Sequence, residues 1–155
     1  MITPLYAKHS AECVEVVRTL PEWFGYPGAL RDIKDATSSQ PGFVAVDALG
    51  ATHGFVTVQS NFEETLEITY LAVRADQRRS GHGRALVHAV RDLAIERGAE
   101  SLCLLTLGPT AESEYYEQTV AFYKAIGFWQ TKELYLTAWG GAPTLVMVAN
   151  VGAIL

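Results

Sequence analysis

Apolar residues recur along this chain with two different periods, and the points where one period yields to the other mark out its elements. Residues 2–8 are predicted as a first strand. Behind Ser10, a residue suited to capping a helix N-terminus, Cys13, Val16, Val17 and Leu20 fall at helical spacing. The stretch Pro21-Glu22-Trp23-Phe24-Gly25-Tyr26-Pro27-Gly28 breaks that helix, and a second short helix is predicted over 29–36. The aromatics of the break, Trp23, Phe24 and Tyr26, read either as the lining of a ligand cleft or as packing between the two helices. Short β-type runs at 43–46 and 55–58 form a hairpin across Asp47-Ala48-Leu49-Gly50, and 67–73 is the third strand of the meander. Simple alternation puts Glu67, Thr69, Leu71 and Val73 on one face of it and Ile68, Tyr70 and Ala72 on the other.

Leu86, Val87, Val90, Leu93 and Ala94 give the next helix, 83–97, its apolar stripe, and Gly98 stops it. The run at 102–107 is almost unbroken in its apolarity, as in strands covered on both faces. Strand, helix and strand at this spacing imply a right-handed crossover between parallel strands. A further helix covers 115–126 and stops at Gly127, and 128–137 and 144–151 close the chain as an antiparallel pair. The order β-α-α-β-β-β-α-β-α-β-β predicts an α/β fold. It has a mixed, mostly antiparallel sheet, one parallel β-α-β crossover and helices on both faces. No repeat or linker divides the chain, so residues 1–155 read as a single domain.

Composition narrows the function. Nearly half of the 155 residues, 49%, are apolar, enough for a compact core and against disorder. A formal charge of −5 argues against general nucleic-acid binding. Against that background Arg74, Arg78, Arg79 and Arg84 crowd one turn, which points to a small anionic ligand. Cys13 and Cys103 have no metal-ligand spacing and read as two reduced thiols in a cytoplasmic setting, with no metal site. Neither a leader-like start nor an apolar run of the ~20 residues that span a bilayer appears, so no membrane partner is expected.

The crowded turn is Arg78-Arg79-Ser80-Gly81-His82-Gly83-Arg84, set between an apolar strand and a helix. Backbone N–H groups at a helix N-terminus lack intrahelical partners and, with the macrodipole, favour phosphate. A lysine-bearing P-loop is excluded, because the turn contains no lysine. A dinucleotide fingerprint fits poorly: Leu86 stands where its third glycine belongs, and Gly81 lies well past the strand end. The pattern that fits throughout is Leu71-Ala72-Val73, then Arg78-x-x-Gly81-x-Gly83, then an amphipathic helix. Downstream, Ala121-Phe122-Tyr123-Lys124-Ala125-Ile126-Gly127-Phe128 is a helix carrying Phe-Tyr and ending in Gly-Phe. These two motifs, in this order and with this arrangement of elements, resemble the GCN5-related N-acetyltransferase superfamily over essentially the whole chain.

The resemblance implies acetyl-CoA as co-substrate. Amides of the turn from Arg79 through Ser80, Gly81, His82 and Gly83 to Arg84 would cradle the coenzyme pyrophosphate, with Arg78, Arg79 and Arg84 adding charge. Backbone groups of Leu71 and Val73 would pair with the pantetheine arm, and the N–H of Leu71 or Ala72 would face the oxyanion. The thioester would lie in the cleft between that strand and 102–107. Tyr123 takes the family's general-acid position, since a phenol of ordinary pKa about 10 stays protonated at neutral pH. Glu67 is at the spacing where some relatives place a base, and reads equally as a solvated strand-end residue; Glu63 and Glu64 are the next candidates. Many relatives carry Asn seven residues before the tyrosine and Ala four before it. Here these positions are Tyr116 and Thr119, so Tyr116 would pack on the coenzyme arm or face substrate. Cys103, among leucines, is expected to be buried rather than an acyl carrier.

The acceptor is expected to be a primary amine, of a small molecule rather than a protein, acetylated by direct transfer in a ternary complex. Glu112, Glu114 and Glu117 around the last helix, with Glu63, Glu64 and Glu67, would favour a cationic amine, or are simply exposed charge. A non-catalytic acyl-CoA-binding or sensory module on the same fold is the competing class. The apolar 145–155 segment predicts either a homodimer contact or a buried closing strand.

Overall fold

The computed structural model describes residues 1–155. Its strands are β1 (Ile2–Pro4), β2 (Gly42–Val46), β3 (Thr52–Phe62), β4 (Thr65–Val73), β5 (Ser101–Leu107), β6 (Trp129–Tyr135) and β7 (Pro143–Asn150). The helices are α1 (Ser10–Arg18), α2 (Pro21–Phe24), α3 (Ala29–Ser39), α4 (His82–Glu96) and α5 (Glu114–Ile126). The strands form a mixed sheet hydrogen-bonded in the order β1-β2-β3-β4-β5-β7-β6. The chain gathers into two compact units, one of Met1–Gln59 with Ile68–Leu93, the other of Ser60–Glu67 with Ala94–Leu155.

In the first unit, β1 and β2 pair antiparallel, as do β2 and β3. α1 and α3 pack together over a core that includes Cys13, Val16, Val17 and Ile33 from the helices and Val44, Phe55 and Ala72 from the strands. Phe55 points to that side of the sheet. Its neighbour Gly54 points to the other, where an added Cβ would stand 3.4 Å from Leu86 of α4 and 2.8 Å from the Ala72 carbonyl. Helices therefore cover both faces of this part of the sheet, as the sequence predicts. Two local readings change. Ser10 lies inside α1 rather than at its N-cap, and its hydroxyl joins the helices through Thr37 Oγ1, 2.8 Å away. The break after α1 contains one helical turn, α2, which Pro21 can open because the first helical position needs no N–H.

β4 does not keep simple alternation. The Thr57 and Thr69 hydroxyls meet at 2.8 Å, while the His53 carbonyl accepts the Arg74 N–H at 2.8 Å. From Thr57 back to His53 is four residues and from Thr69 on to Arg74 is five, so β4 holds one residue more than its partner. That is a β-bulge. It places Thr69 on the same side as Ala72, against the alternation read from the sequence. The grouping of Glu67 with Leu71 and Val73, which assumed unbroken alternation, loses its basis.

In the second unit, the start of β4 lies beside the start of β5. The Glu64 carbonyl accepts the N–H groups of Glu100 and Ser101, and the hydroxyls of Thr65 and Ser101 are 2.8 Å apart. Both strands set out from this end, which is the parallel arrangement the crossover requires. β7 inserts between β5 and β6, antiparallel to both. Leu145, Met147 and Ala149 are buried there, so the apolarity of this segment is accounted for within one chain. Along β5, Leu102, Leu104 and Thr106 are buried, but Cys103, Leu105 and Leu107 are only half-buried. The apolar run is thus covered on one face and partly open on the other. No helix is long and apolar enough to cross a membrane.

Candidate active site

The turn between β4 and α4 is built from backbone that ordinary side chains avoid. Arg79 has φ 63° and Gly81 has φ 86°. Left-handed residues turn successive N–H groups toward one side of a loop, the arrangement that receives anions. The first bond of α4 runs from the Ala85 N–H to the Gly81 carbonyl at 3.0 Å, and the amides ahead of it belong to the turn. Arg78, Arg79, Ser80, Gly81 and Arg84 are exposed, with His82 and Gly83 half-buried behind them. A Cβ on Gly81 would meet nothing within 4 Å, so the glycine serves its backbone conformation and not a close approach. Two further contacts anchor this loop. The Arg78 guanidinium stands 4.6 Å from the centroid of the Trp23 ring, and the Ala75 N–H donates to Thr19 Oγ1 at 3.0 Å.

The open space at Gly81 isolates its conformational role. Gly81→Val is expected to weaken coenzyme A binding about tenfold, since a β-branched residue at this φ costs about 1–2 kcal/mol unless the turn rearranges. Gly98→Val is the control, with φ 76° and equally open space at the end of α4. It should carry similar strain and leave the affinity unchanged by titration calorimetry.

Leu71, Ala72 and Val73 lie at the end of β4 past the bulge, with Ala72 buried and its neighbours half-buried. Bulges commonly end regular pairing beside sites of function. Of the aromatics in the α1–α3 segment, Trp23 and Phe24 pack against the core, which is the second of the two readings above. Tyr26 is 44% exposed and its hydroxyl bonds with that of Tyr70, whose pKa burial raises.

Behind the turn lies a cluster that joins His82 to a pair of residues distant from it in the chain. The rings of His53 and His82 stack 5.7 Å apart and 6° from parallel. His53 Nε2 is 3.0 Å from Asp47 Oδ2. Asp47 Oδ1 accepts the N–H groups of Leu49 and Ala51, both at 2.9 Å. The Ala51 N–H and then His53 hold the Asp47 carboxyl below its usual range. Burial, then the neighbouring His53 and then the chain's amino terminus push His82 below the usual histidine range.

In the second unit, Tyr123 is on the buried face of α5, only 6% exposed, while Phe122 is half-buried. Its ring stacks on Phe122 at 5.1 Å and meets Phe128 edge-on at 5.2 Å. Gly127 ends the helix at φ 122°, and its N–H and that of Phe128 return to the Tyr123 carbonyl. Burial pushes the Tyr123 phenol well above the ordinary tyrosine range. Tyr116 lines a pocket of about 180 Å³ with Leu107, Ser113, Val120 and Lys124, and burial raises its phenol too. Ser113 caps α5, its hydroxyl accepting the Tyr116 N–H.

Glu67 is half-buried and accepts a hydrogen bond from Asn61 Nδ2 at 3.0 Å. Its charge, after burial, helps raise the Cys103 thiol to about 11. Burial and then Glu12 raise Cys13 to about 12. A thiol protonated this firmly is a poor nucleophile, which disfavours an acyl-cysteine. Cys103 is half-buried rather than enclosed, a correction to its reading as a core residue, because its side of β5 is partly open. Glu63 and Glu64 are exposed at the tip between β3 and β4, beside Arg97.

The sequence model of the acetyltransferase (GNAT) family matches residues 6–128. None of the curated proteins matches the chain. Among solved structures, a GNAT-family protein from Desulfovibrio desulfuricans superposes with a TM-score of 0.81 at 18% identity, covering 97% of this chain and 99% of its own. The ribosomal-protein-S18-alanine N-acetyltransferase of Escherichia coli gives 0.75 at 19%, covering 97% and 93%. An aminoglycoside 6′-N-acetyltransferase complexed with coenzyme A gives 0.70 at 20%, covering 97% of each chain. At these identities the likeness is one of fold.

Proposed function

The chain belongs to the acetyltransferase (GNAT) family, and from that premise we propose that it transfers an acetyl group from acetyl-CoA directly to the primary amine of a small molecule. The observation that carries this reading is the open, arginine-flanked turn with two left-handed residues ahead of α4. The amides and guanidinium groups of this turn suit a pyrophosphate. Beyond the bulge, the backbone of Leu71, Ala72 and Val73 holds the pantetheine arm and offers an N–H to the oxyanion. Tyr116 adds packing against the coenzyme arm, supported by its place in an apolar-walled pocket.

In the transfer, the amine nitrogen attacks the thioester carbonyl carbon and the C–S bond breaks. Glu67 takes the proton that the amine loses, directly or through water. Tyr123 donates its phenolic proton to the sulfur as thiolate forms. The high pKa values of both cysteines support transfer without an acyl-enzyme. The acidic residues of the chain suit a cationic amine, and we take the acceptor to be a small molecule.

The test is release of free thiol from acetyl-CoA by the purified chain across a panel of small amines and N-terminal peptides. Amine-dependent release is expected with small cationic amines and not with peptides. Acetyl-CoA at 100 times its Kd should stabilise the fold by about 2.7 kcal/mol in a thermal shift. Absence of a shift with every acyl-CoA would overturn the reading.

A further inference from the structure

His53 touches both ends of the candidate pyrophosphate turn. At the entry, its carbonyl accepts the Arg74 N–H at 2.8 Å. At the exit, its ring lies parallel to that of His82, the first residue of α4. The ring is itself fixed from behind. Asp47 Oδ2 takes one edge of it, and Asp47 is in turn held by the amides of Leu49 and Ala51. The Asp47 carboxylate faces Nε2, so the ring can donate there, and its other nitrogen points away from that bond. Nδ1 is buried and has no hydrogen-bond partner. A buried polar atom without a partner is costly and calls for an explanation.

We propose that Asp47 and His53 are positioning residues for the coenzyme turn, setting its entry through the His53 backbone and its exit through the stacked His53–His82 rings. Left-handed backbone at Arg79, a non-glycine residue, persists only where the surroundings over-determine it, and this clamp is such a surrounding. Gly54 contributes by letting β3 approach closely: any Cβ there would stand 2.8 Å from the Ala72 carbonyl. The remaining charged groups around the ring pair are Arg74 and Asp76 from the segment after β4 and the α-amino group of Met1. Arg74 pairs with Asp76 at 3.1 Å, and Asp47 is the carboxylate in hydrogen-bond contact with His53.

The proposal rests on the coenzyme reading of the turn, and one set of titrations separates the two. Coenzyme A affinity and the steady-state constants for acetyl-CoA are measured for the wild-type chain, His53→Ala, His53→Phe and Asp47→Asn. His53→Ala should weaken binding and raise KM about tenfold with kcat changed less than about twofold, since the turn and not the chemistry is disturbed. His53→Phe keeps a flat ring against His82 and removes the orphaned nitrogen, so it should stay within about threefold of wild type. Asp47→Asn, in an exposed turn that tolerates change, should weaken binding about threefold, and it serves if His53→Ala fails to fold. If the wild-type chain does not bind coenzyme A, the reading of the turn falls. If it binds and His53→Ala binds equally well, the reading stands and the positioning role is overturned. An Ala-like loss in His53→Phe overturns the role of the stacked ring.

Discussion

Tyr123→Phe is expected to lower kcat by about 100-fold or more, the range over which positioned acids act, while coenzyme A affinity stays within about twofold. The substitution removes one oxygen and leaves the ring against Phe122 and Phe128, so the packing at the end of α5 survives. On the proposed mechanism, what disappears is the proton for the departing sulfur. A phenol is a weaker acid than an alkyl thiol, whose ordinary pKa is about 8.5, so complete transfer before the C–S bond breaks would be uphill. Donation has to accompany bond breaking. Burial raises the phenol further and raises a thiol in the same surroundings as well, which keeps the two from drifting apart. The pH profile carries the same signature. An acid functions while protonated, and a pKa shifted upward extends that condition to higher pH. In the wild-type chain kcat should therefore rise with deprotonation of the bound amine and show no falling limb up to about pH 10. A falling limb below that, or a Phe variant with full kcat, would remove Tyr123 from the chemistry.

The largest effect on stability is expected at Phe55. Its side chain is fully buried between the α1–α3 pair and the strands, and Phe55→Ala should destabilise the chain by about 3–5 kcal/mol. That is a large fraction of the about 5–15 kcal/mol that holds a domain together. In a chain of this length it corresponds to a melting temperature lower by about 10 °C or more. Urea unfolding measures it directly, and the slope should be unchanged if only the cavity matters. Phe55→Leu retains most of the volume and should cost far less. Phe55 is two residues from His53 and adjacent to Gly54, so the same strand that anchors the core also presents the proposed clamp behind the candidate coenzyme turn. Phe55→Ala should accordingly weaken coenzyme binding in whatever fraction remains folded.

Much of this molecule is legible in its residues because the relevant physics is local. Helical spacing of Cys13, Val16 and Val17 marks α1, and the same spacing of Leu86, Val87 and Val90 marks α4, because every one of these side chains must leave water. Gly81 and Gly127 announce left-handed backbone that other residues avoid. Pro21, however, conceals a helical turn, since a proline that breaks one helix is equally suited to start another. The run of leucines in β5 does not reveal that one of its faces is half-open, because exposure depends on what the rest of the chain lays over it.

Sequence by itself determined the order of the strands and longer helices, the arginine and glycine chemistry of the turn, and the Phe-Tyr helix that ends at Gly127. These rest on periodicity and backbone preference, which act between near neighbours. Only the tertiary structure decided the rest. It put the extra residue into β4, turned Tyr123 rather than Phe122 fully inward, and set His53 against His82 with Asp47 behind it. Such outcomes are fixed by how strands register and how side chains fill a shared interior. No residue carries that information alone, because the cost of a misplaced ring or an unpaired nitrogen is set by neighbours distant in the chain.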